Sequence, residues 1–230
     1  MEKHHRTLFD RELADLKSKL LRMGALAETM IDKVSAELTQ RDEQLAAQVP
    51  ELEQELDRLQ IDVDRDAMFV LATQQPVARD LRFLVGAIKI NSDLERIGDL
   101  AVNISRSAGV LARQQPVRCT FDIARMADLT RQMVRGSLQA FVSGDVLLAQ
   151  RVIDMDDQVD ALKYQGMREL VGHMAAEPAT VERGLELIFA SRNLERIADN
   201  ATNIAEDVIY VSQGRDVRHP KSLGHRPTGT

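Results

Sequence analysis

Apolar residues recur alternately three and four positions apart along most of the chain, the spacing that puts them on one side of an α-helix. Leu13, Leu16, Leu20, Met23, Ala27, Met30 and Val34 form the first such seam and predict a helix over about residues 8–39. The second seam is Leu45, Val49, Leu52, Leu56, Leu59, Val63 and Val70. Asp42 precedes it as an expected N-cap, and Pro50 is expected to bend it in its first turns. Gln74-Gln75-Pro76 ends that helix. Phe83, Ala87, Ile90, Leu94, Ile97, Ala101, Ile104, Ala108 and Leu111 make the third seam, with Asp80 as its expected cap.

Gln114-Gln115-Pro116 then interrupts the pattern and marks the boundary between two halves. The second half repeats the plan. A fourth helix is expected from about Thr120 to Ser143, with Met126, Leu129, Met133 and Leu138 inside. Gly144-Asp145 restarts the chain, and Leu148, Val152, Met155, Val159 and Leu162 form the fifth seam. Glu177-Pro178 breaks it, Thr180 is the expected cap of the sixth helix, and Leu187, Ala190, Leu194, Ile197, Ala201, Ile204 and Val208 line that helix. No alternating strand pattern competes. The expectation is an all-α protein of six long antiparallel helices, with three-helix units over residues 1–114 and 115–212 and a flexible tail over 213–230.

One stretch occurs twice. Asp93-Leu-Glu-Arg-Ile-Gly-Asp-Leu-Ala-Val-Asn-Ile104 returns as Asn193-Leu-Glu-Arg-Ile-Ala-Asp-Asn-Ala-Thr-Asn-Ile204, a hundred positions on. A repeat of that period means two copies of one supersecondary unit. Glu95 and Asp99, like Glu195 and Asp199, stand four apart, so both carboxylates of a pair leave the same helix face. The preceding helix of each unit carries its own pair, Glu53 and Asp57 in the first and Asp156 and Asp160 in the second, 103 positions apart. A single acidic pair at this spacing belongs to a solvated helix face. Four pairs at equivalent places of two repeats point instead to a shared task. Clustered carboxylates raise each other's pKa unless a cation neutralises them. The natural neutraliser is a hard ion held by oxygen ligands, such as Mg²⁺, Mn²⁺, Ca²⁺ or iron. Glu95 and Asp99 point away from their seam, which places the site on an outer face. The nearly equal distances from each pair to its hairpin break predict that the two pairs of one repeat converge, giving each repeat its own site.

Composition narrows the alternatives. Of 230 residues, 44% are hydrophobic but only 3% aromatic, and none is Trp, which suits helix packing better than sheet. A net charge of −6 argues against binding nucleic acid. Cys119 is the only cysteine, so no internal disulfide forms and secretion is not indicated. No apolar run is long enough for a membrane span, and a cytoplasmic location is expected. Other candidate groups are weaker. Glu2 and His5 lie at the extreme N-terminus, His173 beside Glu169 falls near an apolar seam, and Cys119 has no base in view. Arg96 and Arg196 are expected to form salt bridges beside the acids. There is no phosphate-binding Gly-rich loop and no nucleophile elbow. The competing reading, a carboxylate-bridged metal enzyme on a helical bundle, lacks the Glu-x-x-His pairs that di-iron bundles use.

Leu-Glu-Arg-Ile-Gly-Asp at 94–99, its echo Leu-Glu-Arg-Ile-Ala-Asp at 194–199, and Gln-Pro-Val-Ala-Arg-Asp-Leu-Arg at 75–82 resemble the PhoU family of phosphate-specific transport system accessory proteins. The resemblance covers about residues 8–212. It implies two three-helix bundles related by pseudo-symmetry, and multinuclear metal clusters of iron or zinc at the [Glu/Asp]-x-x-x-Asp motifs. Those motifs match here at Glu53/Asp57, Glu95/Asp99, Asp156/Asp160 and Glu195/Asp199. It also implies a cytoplasmic, often homodimeric regulator that reaches the membrane only through partners. Those partners would be the ATPase subunit of the phosphate ABC transporter and the phosphate-sensing histidine kinase. The second copy departs from the first at Asn193, Ala198 and Asn200, so the two halves are expected to differ in metal number or affinity.

Overall fold

Each predicted seam lies on a helix in the computed structural model, which describes residues 2–41, 47–117 and 121–217, with side chains from residue 8. The helices are α1 (Glu2–Gln40), α2 (Val49–Gln74), α3 (Ala78–Ala112), α4 (Ile123–Ser143), α5 (Val146–Ala176) and α6 (Val181–Gln213). A single 3₁₀ turn, Pro178–Thr180, joins the last two. The described residues contain no strand.

The helix ends differ from expectation in instructive ways. Pro50 is near the very start of α2, where a backbone N–H has no intrahelical partner to lose, so the expected bend has no cause. Asp80 sits in the first turn of α3, not at its cap; Val77 takes that place in an extended conformation. There the Asp80 charge suits the positive end of the helix dipole. Asp122 caps α4 by accepting from the Arg125 N–H at 2.9 Å, and Asp145 caps α5 by accepting from the Leu148 N–H at 3.0 Å. Thr180 does occupy the cap of α6, but its hydroxyl donates to the Glu177 carbonyl at 2.7 Å instead of receiving an N–H. Gly144, at φ 69°, ends α4 in the left-handed conformation that glycine tolerates best. The expectations placed on Asp42, Leu45, Cys119 and Thr120, and on the tail from residue 218, lie outside the described residues.

Packing follows the repeat. α1, α2 and α3 contact one another, as do α4, α5 and α6, and the two trios join through α3 against α6 and α1 against α4. The first seam is inside as expected: Leu16, Leu20, Met23, Ala27, Met30 and Val34 have no exposed surface. The fifth is looser, with Val152 and Val159 buried and Leu148, Met155 and Leu162 only partly so. A single continuous core runs through both trios. Phe83 of α3 stacks on Phe141 of α4 across the junction, with ring centroids 5.1 Å apart. Thr130 and Ser137, fully buried on α4, satisfy their hydroxyls on the Met126 and Val134 carbonyls. Truncating Leu16, Leu20, Met23 or Met30 to Ala would cost roughly 2–5 kcal/mol.

Candidate functional site

The register of each α2–α3-type hairpin decides which acids meet. In the first repeat a side chain at Gly98 would lie 3.4 Å from Leu56, and Asn91 donates its amide to the Gln60 carbonyl and the Asp64 carboxylate, at 3.0 and 2.8 Å. This brings Glu53 and Asp57 of α2 level with Glu95 and Asp99 of α3. The Glu53 carboxyl is raised above its ordinary pKa by loss of hydration, then by Asp57 and Asp99, with Arg106 opposing. Glu95 is raised by burial, then by Asp99, Asp57 and Glu53, against Arg96.

The second repeat reproduces the arrangement. The Asp156 carboxyl is raised by burial, then by Asp160, Asp157 and Glu195. The Asp199 carboxyl is pushed up to about 6 by partial loss of hydration among its neighbours, although the residue as a whole is exposed, then by Glu195, Asp156 and Asp160, with Lys163 opposing. Position by position the burial matches. Glu53, Asp57 and Glu95 are half-buried with Asp99 exposed, and Asp156, Asp160 and Glu195 are half-buried with Asp199 exposed. The couplings therefore run within each repeat, on an outer face.

Three features were not anticipated from the sequence. The first is Lys163. Its Nζ donates to Asp160 at 2.7 Å and to Glu195 at 2.8 Å, tying the two pairs of the second cluster together. Burial works against the Lys163 charge, but these two hydrogen bonds outweigh it and hold the amine protonated well above its usual range. The second is a depression of about 370 Å³ between α3 and α6, lined by Arg96, Asp99, Asn103, Arg196, Asp199 and Asn200. It places equivalent residues of both repeats opposite one another, so the two clusters open onto a common hollow. The third lies further along the α3–α6 contact, where Asp93 and Asp207 are both buried. Lys89 pairs with Asp207 at 2.7 Å, and Arg96 reaches Asp93 only at 3.6 Å, the intrahelical bridge expected of it. Burial, then Asp207, pushes the Asp93 carboxyl up to about 6. His173, by contrast, lies 3.8 Å from Glu177 and takes no part in either cluster.

The donor set is all oxygen, four carboxylates to a repeat, which fits a hard cation and fits a thiolate-seeking metal poorly. Among the described residues, no three His, Cys, Asp or Glu side chains are gathered tightly enough to hold a metal ion. A metal would have to draw the first cluster's carboxylates inward, and in the second it would also have to displace Lys163. No described helix is long and apolar enough to cross a membrane.

Fold and site together define a class: a duplicated six-helix bundle that displays paired acidic clusters on one outer face. The PhoU domain family model matches residues 20–108 and 123–208, one copy for each repeat. The chain belongs to the PhoU family. It is 39% identical over 212 residues to the phosphate-specific transport system accessory protein PhoU homolog of Pseudomonas putida, covering 92% of this chain and 83% of that one. The homolog of the same name from Aquifex aeolicus is 39% identical over 209 residues, 91% of this chain and 95% of that one. Among solved structures, PhoU from Pseudomonas aeruginosa superposes with a TM-score of 0.87 at 37% identity, over 90% of this chain and 100% of the other. The phosphate transport system regulatory protein PhoU from Streptococcus pneumoniae gives a TM-score of 0.84 at 26% identity, over 91% of this chain and 99% of the other.

Proposed function

We propose that this protein is a non-enzymatic negative regulator of phosphate uptake and of phosphate-starvation signalling, working in the cytoplasm as an accessory of the phosphate transport system. The observation that carries this reading is the match of both repeats to the PhoU domain, together with relatives named as accessory proteins of phosphate-specific transport. The partners would be the ATPase subunit of the phosphate ABC transporter and the phosphate-sensing histidine kinase, met by a homodimer. The acidic clusters would bind metal ions: Glu53, Asp57, Glu95 and Asp99 in the first repeat, and Asp156, Asp160, Glu195 and Asp199 in the second. Iron and zinc follow from family likeness, and Mg²⁺ or Mn²⁺ suits the oxygen donors. Bound metal would offset the lost hydration, and the repulsion added to it, that raise the Glu53, Glu95, Asp156 and Asp199 pKa values and would stiffen the outer face. A non-enzymatic role agrees with the surroundings of the acids, where Lys163 donates to Asp160 and Glu195, and Arg96 and Arg106 offset the charge of Glu95 and Glu53 from nearby. Deleting the gene is expected to derepress an alkaline phosphatase reporter in high phosphate. An unchanged reporter would defeat the regulatory reading.

A further inference from the structure

A hollow of another kind lies where the two repeats are joined. It is a cavity of about 210 Å³ walled by α1, α3, α4 and α6, and none of the clustered carboxylates lines it. Leu13, Phe83, Phe141 and Val208 give it an apolar lining, while Lys17, Arg79 and Asp80 bring charge. Asp80 sits in the first turn of α3, where the positive end of the helix answers it. The cations are not answered in this way. Among the described residues neither Lys17 nor Arg79 has a carboxylate within ion-pair distance. Lys17 Nζ lies instead over the Phe83 ring, 5.0 Å from its centroid. At the nearby ends of α4 and α6 the Ala140, Tyr210 and Val211 carbonyls already accept, from the Gly144 and Asp145 N–H groups, the Gly214 N–H and the Arg82 guanidinium. Two cations against one carboxylate leave an excess of positive charge beside a pair of stacked rings.

The pseudo-symmetric counterpart of this place is covered by the chain itself. Arg41 stands 103 positions before Gly144, and the two share a left-handed backbone, at φ 60° and 69°. Arg183 stands 100 positions after Phe83. Arg41 donates to the Gln114 carbonyl and Arg183 to the Gln115 carbonyl, the latter at 3.0 Å. There the linker between the repeats lays its own oxygens on two cations. At the cavity, Gly144 and Phe83 have no side-chain donor to hold the chain that follows α6, and residues 214–217 do not line it. The next residues carry Arg218, Lys221 and Arg226 and no acidic side chain, so their charge has the sign of the cavity's own excess. One end of the junction is supplied with oxygen acceptors from within the chain. The other presents Lys17 and Arg79 without them.

We propose that this cavity binds a small organic anion, a carboxylate or phosphate head on an apolar body no larger than one ring or a short acyl chain. The body is taken up among Leu13, Phe83, Phe141 and Val208, where it leaves water. The head accepts charge-assisted hydrogen bonds from Lys17 and Arg79. The volume sets the size, since pockets for drug-sized ligands run to roughly 300–1,000 Å³. The trios meet only through the four helices that wall the cavity, α1 against α4 and α3 against α6. A ligand held among them therefore fixes one repeat against the other and stabilises the native state. The site is separate from the acidic clusters, so the proposal rests neither on their metal nor on the regulatory reading.

Calorimetric titration of the full chain tests this, with EDTA present so that no anion binds through a metal. The probes are benzoate, phenyl phosphate, inorganic phosphate and benzylamine. Benzoate or phenyl phosphate is expected to bind once per chain, to weaken as salt is raised and to raise Tm; the tighter of the two identifies the head. Inorganic phosphate, which lacks the body, should bind at least about tenfold more weakly than phenyl phosphate, and benzylamine, of opposite charge, should not bind. Lys17→Gln and Arg79→Gln should each weaken the aromatic anion about tenfold, as expected for one charge-assisted hydrogen bond. Arg168→Gln, which removes an exposed cation from α5, should change nothing. Circular dichroism establishes that the variants fold. In NMR spectra the methyl signals of Leu13, Val142 and Val208, which line the cavity, should shift during the titration. The proposal is overturned if neither aromatic anion binds, if benzylamine or inorganic phosphate binds as well as they do, or if Lys17→Gln/Arg79→Gln keeps full affinity. Binding that leaves those methyl signals in place overturns it too.

Discussion

The two acidic clusters share a backbone plan and solve the same electrostatic problem differently. In the second, Lys163 lies between Asp160 and Glu195 and neutralises them from within. In the first, the equivalent position is Gln60, and relief comes only from Arg106 and Arg96 on exposed ground. A charge supplied from a half-buried place with two short hydrogen bonds is worth more than one waving at the rim. Asp160 and Glu195 of the second cluster are therefore neutralised from within, while Asp199 beside them is still pushed up to about 6. The first cluster keeps an excess of negative charge, available to a cation.

That contrast breaks most visibly on metal removal from one side. Glu95→Ala/Asp99→Ala is expected to abolish metal binding by the first repeat and spare the second, because the carboxylates couple within each repeat. Elemental analysis after Mn²⁺ loading checks this. Loss from both would merge the clusters into one, using the hollow that Asp99 and Asp199 both line. Next in size is Lys163→Met, which strands Asp160 and Glu195 half-buried. It should destabilise the metal-free fold by about 2 kcal/mol in urea unfolding, since the pair is partly solvated, while tightening metal at the second cluster. Gln60→Met should stay within about 0.5 kcal/mol.

Asp93 gives a comparable effect with a definite sign. Its folded pKa is about 6 against an ordinary 3.8, so the folded state holds more protons than the unfolded between those values. Stability from this group is then greatest at low pH and is lost as pH rises through about 6. Asp93→Asn should raise stability by about 2 kcal/mol near pH 8 and by nothing below about pH 4. An advantage that grew on acidification would refute the assignment. The smallest effect is the transplant Gln60→Lys. It should add about 0.5 kcal/mol to the metal-free protein, since the site is partly wet, and weaken the first cluster's metal.

Periodicity made the helices legible because seams of Leu, Ile, Val and Met decide helix faces locally. The eight carboxylates were legible because the duplication repeats them at offsets of 100 and 103. Helix ends were less so. Pro50 and Asp80 read as a bend and a cap, but their effect depends on where the helix begins, and that is set by packing. Lys163 had a visible signal, three residues after Asp160 with Gln60 as its counterpart, yet a lysine beside acids reads as ordinary surface until Glu195 is known to face it. Asp93 and Asp207 had none. They meet only because α3 lies against α6, a contact between residues more than a hundred positions apart.

The seating of α6 on α3 also sets a schedule for the growing chain. A side chain at Gly86 would collide with Val211, at 2.6 Å, so the final helix closes directly on the third. Between those two residues lies about half of the protein. At about 5–20 residues per second the ribosome needs roughly 6–25 s to supply the missing side. During that interval the first bundle stands with one flank of α3 bare, including the ground that Lys89 and Phe83 later share with the second half. The nascent first repeat is thus the stage at which this protein depends most on chaperones, and slowing translation after α3 should lower its soluble yield more than slowing it after α6.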